Sequence, residues 1–177
     1  VNNKLLSLTL LKWIIWFSIT LIITFNVWIW VDPSALSHLG AEKRLIDNYG
    51  GISGMVLWQR IAGFVVDALP AGLLIAALAS LIGLIRQLEA GNWFAEASER
   101  ALARVGHLML WYLLASFLND TLLVLIATAT NPPGERALAI SLSSDTVLGL
   151  VPALMALVIA RMVRLAREQR DELNQIV

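Results

Sequence analysis

Residues 61–85 read IAGFVVDALPAGLLIAALASLIGLI, and Asp67 is the only charged residue in the run. A helix that crosses ~30 Å of hydrocarbon needs ~20 mostly apolar residues, so this stretch is long enough to span a bilayer. Trp13–Val31, Val105–Ala129 and Thr146–Val163 have the same character. One such run would fit a buried helix of a soluble protein. Four in 177 residues do not, because the remaining polar residues cannot cover them. Only 15% of the chain is charged, against ~25% in an average soluble domain. The expectation is an all-α membrane protein, a four-transmembrane-helix bundle forming a single domain over residues 1–177. The last span is the shortest, and Arg161 and Arg164 at its end would snorkel to the headgroups.

The first run follows Lys4 and Lys12, as a signal peptide would. It exceeds the usual apolar core of ~7–15 residues, and is expected to be retained as a spanning helix. Basic residues set the orientation. Lys4, Lys12, Arg86, Arg100, Arg104, Arg161, Arg164, Arg167 and Arg170 lie on one side, and Lys43, Arg44, Arg60 and Arg136 on the other. The nine-residue side is expected to be cytoplasmic, with both termini there, in a bacterial inner membrane. Trp13, Trp16, Trp28, Trp30, Trp58 and Trp93 fall near span ends, where indole prefers the headgroup zone; only Trp111 lies deep in a span. All seven read as belt and packing residues.

Asp32-Pro33-Ser34 is a helix-start signal, and Leu36, Leu39, Leu45, Ile46 and Tyr49 then predict a short amphipathic helix in the first outer loop. Asn131-Pro132-Pro133-Gly134 predicts a turn, after which Ala137–Leu142 is expected to dip back onto the bundle. In the cytoplasmic connection Gly91-Asn92 should end a helix in the left-handed region. Trp93 and Phe94 then dip into the interface before the chain resumes as helix.

The Gly91-x-x-Phe94 turn, the following Leu102-x-x-x-Gly106, and the ending of Ala166 to Glu172, Asn174 and Val177 resemble the bacterial family described as domain of unknown function 2975. The resemblance covers roughly residues 61–177. The chain departs from it at Leu173, which separates Glu172 from Asn174. The resemblance implies a four-helix bacterial membrane protein, often encoded beside a small helix-turn-helix regulator, and implies no known enzyme activity.

Asp67 and Asp120 break the membrane rule. A charge at the bilayer centre costs ~2.5–3.5 kcal/mol on insertion scales, so such residues are satisfied by something. Both fall in the outer third of their spans, with Asn26, Asn119 and Thr121, and with Pro70 and Pro152. One reading is a site that handles a proton or cation, formed by Asn26, Asp67, Asn119 and Asp120. The other is structural: Arg60, two turns before Asp67, folds inward to pair with it, while Asn119 and Asp120 bond a neighbouring helix. An ion pathway also needs polar residues in the inner halves, where Ser80 and His107 are the main ones.

His38 and His107 lie on opposite membrane sides, which excludes bis-histidine ligation of one haem within a monomer. The chain has no cysteine, hence no thiolate or cluster site, and none of the familiar hydrolase, zinc-protease or phosphate-loop patterns. No cofactor, metal or catalytic residue is expected. Net charge is zero, so nothing argues for nucleic acid. Gly72, Ala76 and Ser80, and Gly149 and Ala153, recur every four residues, spacing that lets helices approach closely within the monomer or against another subunit. Arg164–Glu168 and Arg167–Asp171 are one turn apart on a solvated C-terminal helix.

The expected function is a non-enzymatic membrane interaction protein, a regulatory or accessory subunit bound to the bilayer and to other membrane subunits or to copies of itself. Gly91, Trp93, Phe94, Arg164 and Arg167 are its candidate docking residues. The alternative is a small proton or cation transporter using Asp67 and Asp120.

Overall fold

The computed structural model describes residues 2–32, 51–91, 95–132, 134–138, 140 and 144–176; for residues 2–7, 144–147 and 173–176 it describes the backbone alone. The chain runs through four helices: α1 (Asn2–Val31), α2 (Leu57–Glu89), α3 (Glu96–Thr128) and α4 (Ser144–Ile176). Each contains a stretch long and apolar enough to cross a membrane, which makes the chain a multi-pass membrane protein. All four outrun the spans expected from hydropathy. Thirty-three residues at ~1.5 Å per residue give ~50 Å, well beyond the hydrocarbon, so the ends are free to carry charge. The arginines 161 to 170 therefore continue α4 without a break. The expected amphipathic helix of the first loop, His38, Trp93 and Phe94 lie outside the described residues.

Among the described residues each helix packs only on its neighbours in the chain: α1 on α2, α2 on α3, and α3 on α4. The bundle is open, with α4 not returning to α1. Ion pairs identify the end at which the chain termini lie. Lys12 of α1 pairs with Glu89 at the end of α2, and Arg167 of α4 lies 3.0 Å from Glu99 at the start of α3. Between those two ends the chain turns at Gly91, whose φ of 75° is the left-handed conformation expected there.

Small residues set the α3–α4 contact. A Cβ at Gly106 would run into Leu157, 2.6 Å from its Cγ, and one at Gly149 into Leu113. Ala153 is fully buried. The α4 stripe therefore serves packing within the chain. The α2 stripe does not: Gly72 and Ala76 are exposed, and a Cβ at Gly72 meets nothing within 4 Å.

Along the α1–α2 seam the buried face of α1 follows the helical repeat through Ile15, Ile19 and Trp30, with Lys12 and Asn26 partly buried on the same stripe. Toward the termini end, Ile15 and Ile19 meet Ile82 and Ile85 in a wholly apolar cluster. Toward the other end, Trp30 and Leu123 and Ala127 of α3 form a second cluster, closed by Ile52 and Met55 from the segment that enters α2.

Candidate functional site

The loop-side cluster encloses the most polar part of the interior. On α2, Gln59, Gly63 and Asp67 recur every four residues and are all buried. Asn26 and Trp30 stand one turn apart on α1, and Asn119, Leu123 and Ala127 are spaced by four on α3. Residues at this spacing share a helix face, so three stripes meet.

Asp67 is where they join. Asn26 Nδ2 donates to Oδ2 at 3.2 Å, and Trp30 Nε1 donates to the same oxygen at 3.1 Å. From the other side Asn119 Nδ2 donates to Oδ1 at 3.0 Å. One carboxyl group thus holds α1 and α3 against α2. Interhelical hydrogen bonds in membrane proteins are worth ~0.6 kcal/mol on average and up to ~1.7, so three supply ~2–5 kcal/mol. That matches the ~2.5–3.5 kcal/mol cost of inserting the carboxylate. The cluster offsets its own insertion cost and fixes the register of three helices. Asn119 Oδ1 is buried and accepts no hydrogen bond, the cost of turning the amide's donor toward the acid.

Gly63 makes the Trp30 bond possible. A Cβ there would lie 2.6 Å from Cζ3 of the indole, so the ring occupies the space a side chain would take. Pro70, also buried, lies one turn beyond Asp67 and lacks the N–H that would bond the Val66 carbonyl.

Gln59 closes the layer above. Its Nε2 donates to the carbonyls of Ile126 at 2.6 Å and Ala127 at 3.2 Å, and to Thr130 Oγ1 at 3.3 Å. Its Oε1 accepts the N–H of Val56 at 3.0 Å. One amide thereby meets an orphan donor at the start of α2 and orphan acceptors at the end of α3. Thr128 bonds the Val124 carbonyl at 2.9 Å and accepts the Ala137 N–H at 3.2 Å. This ties Ala137 to the bundle, while Leu138 and Ile140 remain exposed.

Three of the four residues expected in the intramembrane polar site, Asn26, Asp67 and Asn119, come together. Asp120 is half-buried, and one helical step of ~100° turns it away from the direction of Asn119. Two pairings differ from expectation. Arg60 does not reach Asp67; it donates to the carbonyls of Ser53 at 3.0 Å and Met55 at 3.2 Å. Those acceptors lie beside it in the entry turn, and neutral donors already occupy the acid. Arg167 reaches across to Glu99 rather than along its helix to Asp171. Both side chains of that pair are about three-quarters buried, where charge attraction is less screened. No directed hydrogen bond forms between the two closest atoms, so the contact is ionic. Arg164 pairs with Glu168 at 2.8 Å as expected.

Trp30, Gly63 and Gln59 are the residues that sequence reasoning missed. Trp30 reads as a belt tryptophan, yet Trp28 beside it is half exposed while Trp30 is 7% exposed. The signal available was its spacing of four from Asn26. His107 is exposed, with Nδ1 2.6 Å from the Ala103 carbonyl one turn back. Among the described residues no three metal-binding side chains cluster.

Residues 56–177, more than half of the chain, match the family described as Protein of unknown function (DUF2975). The chain belongs to that family. The match takes in α2, α3 and α4 whole, and so includes Gln59, Gly63, Asp67 and Asn119. Asn26 and Trp30, the two donors from α1, precede it. No curated protein and no solved structure matches the chain.

Proposed function

We propose that this DUF2975 protein is a non-enzymatic interaction subunit of a bacterial cytoplasmic membrane, regulatory or accessory in role, with both termini on the cytoplasmic side. The observation that carries this reading is the open packing. In the most apolar stretch of each helix no more than 28% of residues are buried inside the chain, and in α1 and α4 only 17% are. Among the described residues each end helix has one neighbouring helix. Phe17 on α1 and Met155 on α4 are 68% and 58% exposed, so these faces are open to lipid or to a further transmembrane helix.

Asp67 supports the same reading over transport. Neutral donors from two other helices meet it. The α1–α2 seam toward the termini is lined by isoleucines, where an ion path between those helices would need polar groups.

Cysteines introduced singly at Phe17 and Met155 test the proposal in native membranes. Cross-linking at either position to another membrane polypeptide, with the adduct co-purifying in mild detergent, is the expected result. A chain that stays monomeric and unlinked at both positions contradicts it. A proton or cation flux in liposomes that Asp67→Asn abolishes would install the transporter in its place.

A further inference from the structure

A groove lies between α2 and α3, away from the Asp67 cluster and nearer the termini. Ala76, Ala79, Ser80 and Gly83 of α2 and Arg104 and Leu108 of α3 line it, and its volume is 610 Å³. A Cβ at Gly83 meets nothing within 4 Å. The Ser80 hydroxyl turns back to the Ala76 carbonyl at 2.9 Å, so it presents little polarity to the groove. The walls are therefore small and apolar, and the only charge among the lining residues is the Arg104 guanidinium.

Arg104 is exposed, and among the described residues no carboxylate lies within ion-pair distance of it. Its neighbours at this end are matched: Lys12 with Glu89, Arg100 with Glu96, Arg167 with Glu99. Arg86, three residues after Gly83 in the last turn of α2, is likewise exposed and has no carboxylate partner among the described residues.

We infer that this groove binds an anionic phospholipid, one acyl chain lying along Ala76, Ala79 and Gly83 and the phosphate held by Arg104. The helices that form the groove cross the membrane, so lipid is the molecule at its mouth. Basic pockets between transmembrane helices bind anionic head groups, and a guanidinium presents a planar fork that fits two phosphate oxygens. Charge separates this occupant from the others. A second copy docked about a twofold axis would bring two Arg104 side chains toward one interface with no acid in the lining, and like charges so placed repel. A zwitterionic lipid carries its own cation toward the arginine.

The test uses the full chain in bilayer discs containing equal parts phosphatidylglycerol and phosphatidylcholine, followed by native mass spectrometry of the released protein. Wild type should retain phosphatidylglycerol in preference to phosphatidylcholine. Arg104→Gln should cut the retained phosphatidylglycerol by about fivefold, the effect of one arginine at an anionic surface. Arg161→Gln, an exposed arginine outside the groove, should leave it unchanged. Gly83→Leu should fill the slot and release both lipids at unchanged melting temperature, and Ala79→Leu serves if Gly83→Leu does not fold. Equal losses in Arg104→Gln and Arg161→Gln would overturn the inference, as would full retention in the leucine variants. Disulfide linkage of Gly83→Cys chains to one another in the same discs would make a second copy the occupant.

Discussion

Near the termini, α1 meets α2 through Ile15 and Ile19 against Ile82 and Ile85. Near the loops the same two helices meet through Asn26 and Trp30 against Asp67, with Gly63 making room for the indole. Among the isoleucines the contact is shape alone, and the Lys12–Glu89 ion pair closes the seam one turn further out. Lipid tails are as apolar as isoleucine, so burying these side chains against each other yields packing and little hydrophobic drive. The second contact is directional, and a shift of one residue would separate donors from acceptor. The buried Asp67 cluster therefore fixes the register of α1 on α2, and through Asn119 that of α3, while the isoleucines fill space beneath the partly screened Lys12–Glu89 pair.

Substitutions at the two ends should differ accordingly. Asp67→Ala should have the largest effect, because Asn26, Trp30 and Asn119 all lose their acceptor. Unmet buried donors cost ~1–3 kcal/mol each, so a loss of about 3 kcal/mol or more is expected in the unfolding free energy in mild detergent. Gly63→Ala should follow, at about 1–3 kcal/mol, since its Cβ would displace the Trp30 ring. At the apolar end Ile82→Val should cost only about 0.5–1.5 kcal/mol. An Ile82→Val loss as large as that of Asp67→Ala would reverse the ranking of the two ends.

The isoleucine end and the polar end were not equally legible. Four apolar runs in a chain of this length compel four spans, and the charged ends explain where each may stop. Asp67 stands out in its run, and its need for partners follows from the cost of inserting it. Its partners are less visible in the sequence. Residues 13–31 of α1 are apolar nearly all round, so no stripe of hydrophobicity marks which face meets α2. Trp30 shares its type and position with belt tryptophans, and only a neighbouring helix distinguishes it from Trp28. Arg60 shares a face with Asp67, which makes it the natural counter-ion in the sequence. The carbonyls of Ser53 and Met55, invisible before the entry turn is built, claim it instead. The open order of the helices was also hidden, since hydropathy gives spans without neighbours.

The claim that Trp30 and Asp67 clasp α1 to α2 is tested most directly by a double-mutant cycle between Trp30→Phe and Asp67→Leu. Phenylalanine keeps an aromatic ring over Gly63 and removes the N–H, while leucine keeps the branched shape of the acid and removes both acceptor oxygens. Unfolding free energies of the wild type, both single variants and the double variant should show a coupling of about 1 kcal/mol, within the range of interhelical bonds measured in membranes. Losses that add to within about 0.3 kcal/mol would mean that the indole and the acid act independently, and the clasp would not exist.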